Sequence, residues 1–312
     1  ATWINQEEKI ILKGKPEAEK QNDRLTGEKM QLIIQDDQVR EIEVEGHARA
    51  SHFGISDSLN QTMQESFLAA KKMFFFLEDE KLKQVKACGN ATSIYYPSST
   101  RESEKKLTVD KNEASGDTID LFLSDERLNR VLIKGGAMGT YTFPKEQIKD
   151  SSNVEDTIWY SAEMIDYQIN ADLITLLRES ILKFGQISLS AGKILYQTEE
   201  QILVAEGIKT KRDEKEAWEG SPILQDGKDE IKGERMSYDL RSRRGKVRAG
   251  VTSIQRGTYK GKLLRKITDQ VLLADRGTYT TCDRQKPHYH FYARRMKIIA
   301  KDKVIVQPVV LY

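Results

Sequence analysis

Apolar and polar residues alternate with period two along most of this chain, and the alternation comes in blocks. In Leu25–Ala48 a small-residue turn (Thr26, Gly27) leads to apolar positions at Met30, Leu32 and Ile34. A polar turn (Gln35, Asp36, Asp37) follows, then Ile42 and Val44 between Glu41, Glu43 and Glu45, and Gly46-His47-Ala48 closes the block. Period two sends one set of side chains to a core and the other to water, so the block predicts a half-buried antiparallel hairpin.

The block recurs at 69–91 and 115–137. Met30, Met73 and Ile119 are spaced by 43 and 46 residues, and the closing glycines Gly46, Gly89 and Gly135 keep the same spacings. Such a repeat predicts a stack in which no unit buries its apolar face alone. From Ile158 the spacing tightens, and 159–169, 187–207, 231–250, 272–283 and 290–306 keep the alternation. Residues 174–184 (ITLLRESILKF) also have helical spacing, but strand neighbours on both sides favour strand. The expected class is all-β and antiparallel.

Polar stretches at 51–62, 97–107 and 144–157 read as connections, and the charge-dense 209–230 reads as the longest loop or a boundary. The chain 1–312 is thus expected to be one stack with sub-units at about 1–150 and 158–312. The glycines at 135–136, 245 and 250 read as hairpin turns, and the polar turns at 241–244 and 300–303 close two late hairpins.

Composition fits a thin structure with much surface: 38% hydrophobic and 31% charged residues over 312 positions. With 50 basic and 48 acidic residues the net charge is only +2, so nucleic acid is not an expected partner without a segregated basic face. No apolar run reaches the length of a membrane-spanning helix. The chain begins at Ala1-Thr2-Trp3-Ile4 without Met and ends in the apolar Val309–Tyr312, which reads as a mature or excised piece of a longer protein.

Candidate chemistry is sparse. Cys282 lies near His288 and His290, but Cys-x5-His-x-His is not a common zinc spacing, and no metal is expected. Cys282 instead reads as a disulfide candidate whose partner lies beyond the chain; Cys88, the one candidate inside it, lies several units away in the stack, which disfavours that pairing. No GxSxG motif accompanies the four histidines. Glu41, Glu43 and Glu45 read as a solvated face, not a glycosidase pair. The run Arg241–Arg248 reads as a solvated turn, or else as a contact for an anionic headgroup. What remains is the inner apolar stripe: Met30, Met73, Phe75, Leu121, Leu123, Ile165, Tyr167, Tyr196, Met236, Tyr238 and Met296. It is either an ordinary sandwich core or, if two sheets splay apart, a groove for acyl chains with Lys and Arg at its rim.

The repeated unit, with its Gly-Asp/Glu opening and Gly-x-Ala ending, resembles the OstA-like domain of the lipopolysaccharide-transport family. The last stretch, ADRGTYTTCDRQKPHYHFYARRMKIIAKDKVIVQPVVLY, resembles the end of the periplasmic domain of the LptD type, through the YTTC box at Tyr279–Cys282 and PVVLY at Pro308–Tyr312. The resemblance implies an elongated antiparallel β-jellyroll, or V-shaped β-taco, built from these hairpins. Its inner face would carry the acyl chains of lipopolysaccharide, with no catalysis and no cofactor. It further implies a periplasmic location attached to the outer membrane through a barrel outside this chain. The implied partners are an LptA-like bridge protein added at an edge strand and an LptE-like lipoprotein. By motif position, Cys282 would correspond to the family's disulfide-forming cysteine. The alternatives are a free-standing LptA-type bridge, a β-solenoid polysaccharide enzyme and an adhesin.

Overall fold

The structure is a computed structural model that describes residues 2–4, 8–57, 62–96, 111–125, 127–142, 157–212, 215–227, 229–254, 257–284, 286–300 and 302–312. The protein is all-β and antiparallel, as its alternation predicts, with no α-helix among the described residues. Two compact units divide it, Ala1–Ala171 and Asp172–Tyr312.

The first unit contains β1 (Thr2–Ile4), β2 (Lys9–Lys13), β3 (Glu17–Lys20), β4 (Asp23–Thr26), β5 (Lys29–Gln35), β6 (Gln38–Asp57), β7 (Thr62–Glu78), β8 (Lys81–Tyr95), β9 (Lys111–Ser124), β10 (Arg127–Thr142) and β11 (Thr157–Gln168). Pairing runs β1–β2–β5–β6–β7–β8–β9–β10–β11, and the β3–β4 hairpin joins through β4 to the far half of β6. The expected break at 144–157 lies almost wholly outside the described residues. Beyond it β11 pairs back along β10, which places 158–168 in the first unit.

The closing glycines do not close anything. β6 runs unbroken for 20 residues through Gly46, and β8 and β10 run through Gly89 and Gly135 in the same way. At each glycine the register shifts, between Glu45 and Ala48, Cys88 and Ala91, and Lys134 and Ala137. Two consecutive residues take left-handed φ there: Gly46 and His47, Gly89 and Asn90, Gly135 and Gly136. These are β-bulges, which bend a strand and raise its twist without ending it. Glycine leads each pair because a left-handed φ costs it no steric energy. The residue after each bulge, Ala48, Ala91 or Ala137, is buried, and Ala48 and Ala137 pair with buried Ala70 and Ala162 while Ala91 pairs with Gly116. A line of small side chains thus follows the bend, where larger ones would not fit. The expected connection at 51–62 is likewise strand as far as Asp57, because β6 continues past its bulge to pair with β7.

The second unit contains β12 (Leu173–Phe184), β13 (Ile187–Gln197), β14 (Ile202–Glu206), β15 (Ile208–Arg212), β16 (Lys215–Glu219), β17 (Ile223–Asp226), β18 (Asp229–Lys232), β19 (Arg235–Asp239), β20 (Arg244–Ile254), β21 (Gly257–Thr268), β22 (Val271–Thr280), β23 (Phe291–Ile299) and β24 (Lys303–Leu311). Residues 174–184 are strand, not helix. β13 and β20 each carry two neighbours along one edge, β13 pairing with β14 and β17 and β20 with β19 and β18, while their other edges pair with β12 and β21. From β20 a meander runs through β21, β22 and β23 to β24. Bulge geometry returns at Arg178 and Glu179, and a single left-handed residue interrupts β20 at Ala249 and β22 at Arg276. Gly250 therefore lies inside a strand, and Gly245 lies in the same strand opposite Tyr238.

The segment 209–230 is not a loop. β15 and β16 form a separate two-stranded ribbon, and β17 and β18 form a hairpin within the main sheet. Charge density misleads here because the second hairpin still alternates, with buried Leu224 and Ile231 directly paired between charged positions. The ribbon's base is fixed by the Gly192 amide, which donates to the Gly220 carbonyl at 2.6 Å. A Cβ on Gly192 would stand 2.7 Å from the Glu219 carbonyl oxygen, so this approach requires glycine.

Candidate lipid-facing interior

Strand pairing sorts the inward residues into rungs that cross each unit. In the first unit one rung runs Leu12–Met30–Val44–Met73–Ala87–Ile119–Ile133–Ile165 across eight strands, every step a direct cross-strand pair. The next runs Ile10–Leu32–Ile42–Phe75–Val85–Leu121–Val131–Tyr167. Direct pairs of this kind are the unit of sheet stabilisation. Leu123 lies one step further along, opposite Leu128. In the second unit a rung runs Leu176–Ile194–Ala205–Met236–Val247–Leu264–Ala274–Met296–Val306. Beside it lies Ile174–Tyr196–Leu203–Tyr238–Gly245–Lys266–Leu272–Ile298–Val304.

Of the eleven stripe residues the first unit holds seven, Met30, Met73, Phe75, Leu121, Leu123, Ile165 and Tyr167, and the second four, Tyr196, Met236, Tyr238 and Met296.

 Eight of these side chains are buried, while Leu121, Leu123 and Tyr167 are half-buried at one end of the first unit's interior. Buried aliphatic and aromatic side chains line both interiors. The second unit keeps two small cavities of about 10 and 40 Å³, the smaller lined by Leu189, Leu203, Met236 and Leu264.

One inward position is charged. Lys266 follows buried Leu264 at the alternating inward place on β21, and its side chain is only 13% exposed. Its ammonium donates to Asp226, itself 15% exposed, and stands 3.1 Å from Asp269. Arg243, in the β19–β20 turn, completes the group at 3.8 Å from Asp226 and 3.6 Å from Asp269. Gly245 leaves room beside it, and the ammonium lies 5.9 Å from the centre of the Tyr238 ring. Burial disfavours the Lys266 charge, but the hydrogen bonds and charges of Asp226 and Asp269 outweigh it and raise its pKa above the ordinary lysine value. Burial pushes the Tyr238 phenol up as well, with Lys266 opposing. Lys266 is absent from the stripe read off the sequence, although its parity with Leu264 was the available signal.

The other candidates are placed as follows. Cys88 and Cys282 are both free. The Cys282 sulfur lies 3.7 Å from His288 Nδ1, while the His290 ring stacks on Tyr312 at 5.1 Å. Among the described residues no cluster of His, Cys, Asp and Glu is arranged to hold a metal ion. Glu45 receives hydrogen bonds from Lys72 at 3.0 Å and Lys29 at 3.2 Å, which hold its carboxyl below the usual range. The Arg241–Arg248 run is half turn and half strand, since β20 begins at Arg244. No family model, curated protein or solved structure matches the chain.

Proposed function

We propose that this chain is a lipid slide of the OstA-like lipopolysaccharide-transport family, of the LptD type. It carries acyl chains along the inward rungs of its two units in the periplasm, towards an outer-membrane barrel outside this chain. The observation that supports this most is the continuity of the apolar rungs, which cross eight strands of the first unit without a polar member. An acyl chain enters by replacing core contacts between strand segments. Methylene against aliphatic side chain has nearly the same transfer energy as the contact it displaces. The half-buried Leu121, Leu123 and Tyr167 form the point of entry to the first interior.

The bridge partner adds to β1, which among the described residues pairs with β2 alone. The segment Trp3–Leu12 is a hairpin and not one strand, because β2 is held between β1 and β5. The LptE-like lipoprotein belongs with the barrel.

Titration of the purified chain with lipopolysaccharide and with a fluorescent acyl probe tests this reading. Saturable binding is expected, and Leu121→Asp or Leu123→Asp weakens it at least ~10-fold while the melting temperature stays near wild type, since a carboxylate at a half-buried site reaches water. Binding that both variants leave unchanged would refute the reading.

A further inference from the structure

The net charge of +2 conceals a strong separation. Residues 172–312 hold 28 Lys and Arg against 18 Asp and Glu, a net of +10, while residues 1–171 hold 22 against 30, a net of −8. In the second unit the excess collects on one surface. The outward rungs of β19–β24 run Arg235–Arg248–Leu263–Asp275–Arg295–Gln307 and Ser237–Lys246–Arg265–Leu273–Lys297–Ile305, with Arg244 one step further along β20. That is seven cations on one face of five neighbouring strands.

Two of the cross-strand pairs join like charges, Arg235 opposite Arg248 and Lys246 opposite Arg265. Like charges placed directly opposite destabilise a sheet, so folding alone does not account for them. Carboxylates compensate only in part. Arg265 pairs with Asp275 at 3.0 Å, and Arg235 lies 3.7 Å from Glu206. Among the described residues Arg244, Lys246, Arg248, Arg295 and Lys297 form no ion pair, and all five are exposed.

Aliphatic side chains, Leu263, Leu273 and Ile305, are set among these cations. The face ends at β24, which among the described residues pairs only with β23 and exposes Ile305, Val309, Val310 and Leu311 by between 44% and 61%. A nucleic-acid surface interleaves its cations with aromatic rings for stacking. Cations with aliphatic side chains beside an apolar edge match the headgroup layer of an anionic bilayer, where the charges meet phosphates and the aliphatics enter the interface. We infer that the outer face of β19–β24 is a docking surface for an anionic membrane. This inference stands apart from the lipid-slide reading, because it concerns the outward rungs and not the interior.

Sedimentation of the full chain with vesicles tests it, comparing phosphatidylglycerol mixed into phosphatidylcholine with phosphatidylcholine alone. The chain should bind the anionic vesicles, and added salt should weaken that binding. Neutralising Lys246→Gln, Arg248→Gln and Lys297→Gln together should lower the partition coefficient on the order of 100-fold. The matched set Lys81→Gln, Lys83→Gln and Arg127→Gln, on exposed sites of the first unit, should change it less than ~3-fold by the same rule, since those sites lie off the face. Equal binding to neutral vesicles, or equal losses from the two sets, would overturn the inference. So would a chain that ignores vesicles but associates with itself, or with an oligonucleotide, in a salt-dependent way.

Discussion

Replacing Lys266 by Met leaves Asp226 buried without its main partner. Removing one member of a buried ion pair costs about 3–5 kcal/mol, because the remaining charge stays desolvated. Here Arg243 stands 3.8 Å from Asp226 and takes over part of the interaction, so the loss falls just below that range, ~2–3 kcal/mol. Asp269 adds little, since it is 59% exposed and returns to water. The double variant Lys266→Met with Asp226→Leu removes both buried charges and extends the apolar rung from Tyr238 to Leu272. It should lie within ~1 kcal/mol of wild type or above it, as apolar replacements of buried pairs commonly do. Urea denaturation of the wild type, both single variants and the double variant gives the coupling energy directly. If Lys266→Met costs less than ~0.5 kcal/mol, the pair is effectively solvated and the reasoning from burial fails.

Two further outcomes follow from local geometry and charge. At the bulge of β10, Gly136→Ala meets nothing within 4 Å and pays only for its left-handed φ, about 1–2 kcal/mol, whereas Gly135→Ala must also displace the Asp117 side chain. Gly136→Asn should be nearly neutral, because Asn90 already holds the matching place in β8; thermal melts that rank the three variants otherwise would contradict the bulge assignment. Glu65 accepts hydrogen bonds from Ser51 at 2.6 Å and Arg49 at 2.8 Å, which hold its carboxyl below the ordinary value of 4.5. Its stabilising contribution is therefore present above pH 4.5 and lost as pH falls through the lower folded value. The melting-temperature gap between wild type and Glu65→Gln should close in acid, and a gap that widens there would refute the assignment.

Alternation made the strands and their inward faces legible, and ITLLRESILKF is strand because its neighbours are. The glycines misled for a definite reason. A left-handed φ serves a turn and a bulge equally well, and only a partner strand that continues past it, as β7 does past Gly46, separates the two. The stripe at Met30, Met73 and Ile165 was readable because period two marks faces, but period two does not say whether facing walls close. Lys266 went unread because a lysine beside an arginine looks solvated until Asp226 is brought to it from a distant strand. The basic face went unread because net charge is a sum along the chain, whereas cross-strand pairing gathers Arg248, Arg265 and Lys297 from separate hairpins.

The central claim is that lipid occupies the inward rungs. Photo-crosslinking side chains introduced at inward Leu121 and Tyr196 and at outward Lys83 and Arg130, in cells making lipopolysaccharide, test it most directly. The account predicts capture of lipopolysaccharide from the two inward sites and none from the two outward ones. Equal capture from both faces, or capture from the outward sites alone, would contradict it.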